Sequence, residues 1–378
     1  MTSLLLTEEQ ESIRRTARDL VKSRAPIAVF RKLRDERDAL GYSRDAWREM
    51  ASLGLCGLAI AEEDGGTGLG LAELGLVFDE CGRTLAPTPL LSTSVLAASA
   101  LSLSGDASQR AEHLPAIAAG ERIIALAHDE GRFHDRYRVS TSLKSTSTGL
   151  TLDGEKSFVL DGHVADAFVV TARVSGNPGD RDGLALVLVP AKSKGVTVSR
   201  RLTVDHRNVA SVRFEGVTLT GAAVLGESGR AADVLDRVLD RGTIALSAEM
   251  LGGARESFER TVQYLKDRKQ FGVPIGSFQA LKHRAAHLFC ELELLTSVVL
   301  HALRSDDAAD RAQIACVAKA RATDTFLLAA NEGVQMHGGI GVTDDHDIGL
   351  FLKRARVCEM TFGGAAYQRD RFAALSGY

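Results

Sequence analysis

Apolar residues recur at helical spacing near the start of the chain, at Ile13, Ala17, Leu20 and Val21. That spacing predicts a helix. Thr7 stands before it and Gln10 three places on, the pair that closes a capping box. The glycine-rich stretch "EEDGGTGLGLAEL" (62 to 74) interrupts the helical pattern. A glycine loop before a helix can cradle phosphate. This one lacks the preceding strand and the Lys-Ser/Thr of a P-loop, and it reads as a connection. Near residue 123 the period changes. "RIIALAHDE", "GLTLDGEKSFVLDG", "DAFVVTARV", "GLALVLVPA", "GVTVSRRL" and "NVASVRFEGVTL" are short β-branched runs. Asp-Gly, Gly-Asn-Pro-Gly and Arg-Asp-Gly turns separate them, which predicts a compact antiparallel β domain. From about residue 229 the pattern is helical again. "DRGTIALSAEMLGGARESFERTVQYLKDR" carries Leu251, Phe258, Val262 and Leu265 on one stripe. Pro274 and Gly276 end this segment, and a second helix is expected from about Ser277. The predicted fold is α+β: an N-terminal helical domain (1–122), a middle antiparallel β domain (123–228) and a C-terminal helical bundle (229–378).

Composition narrows the function. A chain of 378 residues can bury a large core and form two or three domains. The formal net charge of −3 leaves no basic footprint for nucleic acid. No window reads as the long uncharged apolar run of a membrane span, and "MTSLLLTEEQESIRR" lacks the features of a signal peptide. The five cysteines (Cys56, Cys81, Cys290, Cys316, Cys358) are far apart and form no C-x-x-C pair. Free thiols in a reducing cytoplasm are expected.

Three stretches, taken in order, carry a family resemblance. "DRKQFGVPIGSFQALKHRAAHL" (267 to 288) resembles the R-x-x-F-G…Q segment of acyl-CoA dehydrogenases. "NEGVQMHGGIGVTDDHDIGLFLKRA" (331 to 355) resembles their Q-x-x-G-G-x-G segment, and "FEGVTLTGAAVLGE" (214 to 227) their exit from the β domain. The resemblance implies a C-terminal four-helix bundle, bound FAD, an acyl-CoA substrate and an electron-transfer acceptor protein. It implies hydride transfer to flavin while a carboxylate removes the α-proton, with the enolate held by hydrogen bonds. In such enzymes a neighbouring subunit grips the ADP half of FAD. The matching positions here are Arg268, Gln270, Phe271, Gln279, Gln335, Gly338 and Gly339. Arg offers a planar fork to pyrophosphate, Phe packs on an aromatic ring, and paired glycines let backbone approach the cofactor.

The catalytic positions depart from that pattern. The family's usual base is the Glu of Y-E-G-T; against it, Phe362 takes the Tyr place, Gly363 the Glu place and Arg354 the Arg place of the preceding R-D-A. The alternative helical base position falls on Gly242. Glu249 interrupts the small and apolar run "GTIALSAEMLGGA" and is the remaining candidate base. It lies seven residues after Gly242 on the same face, roughly 10 Å along the axis. A raised pKa or an arginine partner is expected for it. Asp240, among Asp236, Arg237 and Arg241, reads as part of a solvated face. The family's T-E-P-x-x-G-S-D is replaced by "ALAHDEGRFHDRYRV" (125 to 139). "GEKSFVLDG" keeps the look of the next strand, with Phe158 for Trp and Leu160 for Thr, losing a flavin hydrogen bond.

Contacts to a neighbour's FAD are retained while those to the chain's own flavin and base are altered. This resembles the small or β-type chains of α2β2 acyl-CoA dehydrogenases of steroid side-chain and pimeloyl-CoA type, and implies a second acyl-CoA dehydrogenase chain as partner. The alternatives are a non-catalytic structural partner and a flavin-dependent monooxygenase or oxidase. No metal is expected. His283 and His287 share a helix face but lack a third ligand, and "TDDHD" (343 to 347) suits a helix start. Arg132, His134 and Arg136 fit either a CoA phosphate or a solvated β-edge.

Overall fold

The computed structural model describes residues 5–147 and 149–378. Six helices come first: α1 (Glu8–Arg24), α2 (Ile27–Asp35), α3 (Arg44–Ser52), α4 (Leu71–Thr84), α5 (Ala98–Ser104) and α6 (Ala107–Ala118). A wholly buried π-helical segment, Leu90–Ala97, leads into α5. Strands follow: β1 (Ile124–Ala127), β2 (Ser142–Thr146), β3 (Gly149–Leu160), β4 (Ala167–Arg173), β5 (Leu184–Pro190), β6 (Val196–Leu202), β7 (Asn208–Leu219) and β8 (Val224–Leu225). Helix α7 (Ala232–Asp267) leads to a small hairpin, β9 (Lys269–Gln270) and β10 (Val273–Pro274). The chain ends in α8 (Gln279–Leu303), α9 (Arg311–His337), α10 (Ile348–Met360) and α11 (Ala365–Leu375). The fold is that of an N-terminal helical, middle β and C-terminal helical protein. It packs as two compact units: Met1–Lys32 with Leu71–Ala86 and Thr243–Tyr378, and Leu33–Gly70 with Pro87–Gly242.

In the helical unit, α1 begins with the expected capping box between Thr7 and Gln10. Helices α8, α10 and α11 pack on α9. Helix α4 brings two buried carboxylates inward. Glu80 accepts from Arg14 at 3.2 Å and Arg18 at 2.8 Å. Asp79 pairs with Arg255 at 2.7 Å; burial pushes its carboxyl up, against the pull of Arg255. The mid-helix glycines of α4 and α7 are explained by backbone contact. A Cβ on Gly252 would lie 1.8 Å from the Asp79 carbonyl oxygen, and one on Gly82 would lie 2.0 Å from that of Glu249.

Helix α8 is the long apolar helix of the described residues. Over Gln279–Leu303 it is long and apolar enough to cross a bilayer by length and composition, with one third of its apolar window buried. Glu291 and Glu293 interrupt its apolar run. Phe289 and Leu294 on this helix are about half exposed, at 52% and 54%.

In the β unit the strand order is β6-β7-β3-β2-β4-β5-β8, with β1 paired to β4. The sheet is mixed rather than wholly antiparallel. β1 runs parallel to β4 from Ile124↔Ala167 to Ala127↔Val170, and β2 meets β4 in parallel at Ser142↔Arg173. Every residue of β1 and β4 is buried, and the apolar runs Ile124–Ala127 and Ala167–Val170, which pair with each other, suit a parallel pair covered on both faces. The register of β3 on β7 shifts between Leu152 and Gly154 and between Lys156 and Val159.

The substitution Gly252→Ala tests the close crossing of α4 and α7. Helix propensity alone would favour alanine by about 1 kcal/mol. Because its Cβ must push α4 away, a net loss of roughly 1–3 kcal/mol is expected in urea unfolding. A gain in stability would contradict the crossing.

Candidate functional site

The residues expected to grip FAD fall on one unit, in three exposed segments. Helix α7 stops at Asp267, ahead of the Pro274 and Gly276 expected to end it, and Arg268–Phe278 forms a hairpin and a turn. Gln270 pairs with Val273 across the hairpin. Its two tip residues, Phe271 and Gly272, have φ of +53° and +80°. A phenylalanine in the left-handed region costs free energy, and this one is also 90% exposed. Its ring meets Phe278 edge-on with centroids 6.0 Å apart. Arg268 is exposed and, among the described residues, its guanidinium has no ion-pair partner. Gln279 is the exposed first residue of α8.

The second part of the site lies at the end of α9. Gln335 is exposed, and Gly338 (φ +64°) closes the helix. A Cβ on Gly338 or Gly339 would meet nothing within 4 Å, so both glycines face open space. His337 beneath them stacks on Tyr264 at 4.3 Å and bonds to the Gly333 carbonyl through Nδ1 at 2.6 Å. Burial lowers the His337 pKa and keeps the ring neutral for stacking. These features fit a flat, anionic cofactor: an unpaired cation, an exposed aromatic ring and backbone open to close approach. "TDDHD" is taken up by arginines. Asp347 accepts from Arg31 at 2.7 Å and Arg260 at 3.2 Å, and Asp344 from Arg31 at 3.4 Å. His287 is 67% exposed on α8 and 3.9 Å from Glu291.

The turn between α10 and α11 holds the vacant base position. Phe362 and Gly363 have φ of +58° and +86°. A Cβ on Gly363 would lie 2.2 Å from Cδ1 of Tyr367. The Tyr367 ring therefore fills the space that any side chain at 363 would enter. Lys319 pins the turn from α9, and the sequence gave no sign of it beyond a lone lysine among alanines. Its Nζ donates to the carbonyls of Glu359 and Gly363, each at 3.1 Å, and to Thr323 Oγ1 at 3.4 Å. Burial depresses its pKa to about 8, against the pull of Cys358 and Glu359. Glu249 has the arginine partner that its apolar setting required. Arg354 Nε donates to Glu249 Oε1 and Nη2 to Oε2, both at 3.0 Å. Both side chains are nearly buried, at 12% and 8%.

The β unit places the remaining candidates. Asp240 is not on a solvated face: it is 1% exposed and accepts from Arg136 at 2.6 Å. Arg136 is equally buried and also meets Asp236 at 3.2 Å, so it is not free for a phosphate. Arg132 is exposed and, with Arg138, lines a cavity of about 690 Å³. Lys156, in the strand that resembles the family's, is fully buried. It donates to Glu130 Oε1 at 2.8 Å, and to the His128 carbonyl and Thr171 Oγ1, both at 3.0 Å.

The Lys319 environment sets a pH dependence. Below about pH 8 the lysine is charged in both folded and unfolded chains. From there toward its ordinary 10.5, the unfolded chain holds a proton that the folded chain has lost, so stability rises with pH. Lys319→Met removes that rise. The stability difference between wild type and variant should shift by roughly 3 kcal/mol in favour of wild type between these limits. A difference independent of pH, measured by urea unfolding, would contradict the buried ammonium.

Comparison with known proteins agrees with the geometry. Profiles of the acyl-CoA dehydrogenase N-terminal, middle and C-terminal domains match residues 7–121, 127–217 and 231–375. The acyl-CoA dehydrogenase IpdE2 of Mycolicibacterium smegmatis is 32% identical over 98% of this chain and 99% of its own. A chain of the ChsE4-ChsE5 complex from Mycobacterium tuberculosis superposes with a TM-score of 0.90 at 27% identity, covering all of both chains. A chain of a Tcur3481-Tcur3483 steroid ACAD variant gives 0.87 at 32% identity, covering 98% of each. With three family domains matched in order along nearly its whole length, the chain belongs to the acyl-CoA dehydrogenase family, oxidoreductases that use FAD to act on acyl-CoA.

Proposed function

We propose that this chain is one subunit of a heteromeric acyl-CoA dehydrogenase, and that a second, related chain supplies the catalytic glutamate. The observation that carries the proposal is the filled base position. Gly363 has no side chain and Tyr367 occupies the space beside it. Gly242 offers no carboxylate, and both oxygens of Glu249 are engaged by Arg354. A proton acceptor for the α-carbon must then come from elsewhere, or Arg354 must release Glu249.

FAD, when bound, supplies the hydride acceptor for α,β-dehydrogenation. This chain's part is to hold its ADP half. Arg268 would meet the pyrophosphate, Phe271 would cover an aromatic ring, and Gln270, Gln279 and Gln335 would offer amides. Gly338 and Gly339 would leave room for the approach. All seven positions are exposed, which suits a cofactor shared with another chain. The uncovered apolar residues of α8 support an assembly as well. Solved structures similar to this chain include a chain of the ChsE4-ChsE5 complex and a chain of a steroid ACAD. We therefore propose a bulky, ring-bearing acyl-CoA as substrate and an electron-transfer protein as acceptor.

Expression of the chain alone and together with its complementary chain tests the proposal. Alone, it is expected to carry little FAD and to show no bleaching of flavin absorbance by acyl-CoA. With the partner, FAD loading and bleaching should both appear. Full loading and turnover by this chain alone would overturn the reading. Gly363→Glu should not confer turnover on the isolated chain. It forces a side chain into left-handed backbone and against Tyr367, a loss of roughly 1–3 kcal/mol. Turnover by that variant would show that Tyr367 does not close the position.

A further inference from the structure

We propose that His128, Asp129 and His134 bind one divalent transition-metal ion of the zinc class at the floor of the cavity in the β unit. The three side chains each present a ligand atom, and these atoms lie within 4.8 Å of one another. Tetrahedral coordination at about 2.1 Å places ligand atoms about 3.4 Å apart, so the cluster needs only a small contraction. His128 and His134 are buried, and Asp129 and His134 line the cavity. The segment that holds them is where the sequence departs from the family's T-E-P-x-x-G-S-D.

Hydrogen bonding accommodates a His128 ring protonated on Nδ1. Lys156 Nζ donates to Thr171 Oγ1 at 3.0 Å, and that hydroxyl points its own proton toward the Ala127 carbonyl at 3.4 Å. In that arrangement Thr171 Oγ1 accepts from His128 Nδ1, 3.1 Å away. The proton of the neutral ring is on Nδ1, and Nε2 carries a lone pair. That Nε2 is buried and has no hydrogen-bond partner among the described residues. It lies 3.9 Å from Asp129 Oδ1. Two acceptors face each other in a dry site, an arrangement that a cation between them relieves. The Thr171 contact to the far nitrogen is the support that metal-bound imidazoles require.

The surrounding charges leave Asp129 available. Lys156 is paired with Glu130 at 2.8 Å, and Arg136 with Asp240 at 2.6 Å. The Asp129 carboxylate meets imidazole instead: His134 Nδ1 is 2.9 Å from its Oδ1. Two imidazoles and one carboxylate form a three-ligand set that keeps a fourth position open. That position would face the cavity, where Arg132 and Arg138 also lie, and it suits water or an anionic oxygen.

The test is a titration of the chelator-treated full chain with Zn²⁺ by calorimetry and with Co²⁺ by visible absorption. One equivalent per chain is expected. Loss of a supporting residue alone weakens metal binding about 10–100-fold, so His128→Gln and His134→Gln should weaken it at least about tenfold. The double variant His283→Gln/His287→Gln, on exposed α8, should bind as wild type does. No binding at millimolar metal, or binding lost only in the α8 variant, would overturn the proposal. Should the buried variants fail to fold, X-ray absorption of the zinc-loaded wild type decides. Two imidazoles and a carboxylate support the site; a shell with fewer than two imidazoles contradicts it.

Discussion

The bidentate bond between Arg354 and Glu249 is the constraint on which the functional reading depends. It ties α10 to α7 with both partners nearly buried. Such a pair is costly to break: removing one partner leaves an uncompensated charge, a loss of roughly 3–5 kcal/mol. The crossing of α4 and α7 sets where it stands, because Gly82 lies directly against the Glu249 carbonyl. The one carboxylate in the small, apolar run of α7 is thereby held as a structural strut. The family's position for a base, Gly363 in the turn after α10, is closed by Tyr367 and pinned by Lys319.

The same unit holds strained backbone at an exposed hairpin. Phe271 is held in left-handed backbone and exposed to solvent, and Arg268 beside it is unpaired. Strain and exposure of this kind are kept where a ligand or partner uses them. A strained, exposed hairpin and a filled base position are what the proposed heteromer requires of this chain. The losses and the retained features thus have one physical explanation.

Much of this was legible in the sequence because the signals are local. The Thr7–Gln10 cap, the change of period near residue 123, the glycine pair at 338 and the missing carboxylate at 363 each lie within a few residues. Contacts across many residues were not legible. Nothing in "TFGGAAY" says that Tyr367 turns back onto Gly363. Nothing in the α9 sequence says that Lys319 reaches the carbonyls of the turn. Asp240 was read as solvated because charged residues adjoin it, whereas a distant arginine, Arg136, buries it. The parallel pairing of β1 was hidden for a related reason: a short apolar run suits either direction until its partner is known.

The most direct test of the shared site is the FAD affinity of the assembled heteromer with Arg268→Ala in this chain alone. If the chain grips the ADP half of a cofactor whose flavin end lies with its partner, loss of the charged contact should weaken FAD binding about 10–100-fold. Assembly and the stability of the isolated chain should be unchanged. Unaltered FAD affinity in that complex would contradict the shared site.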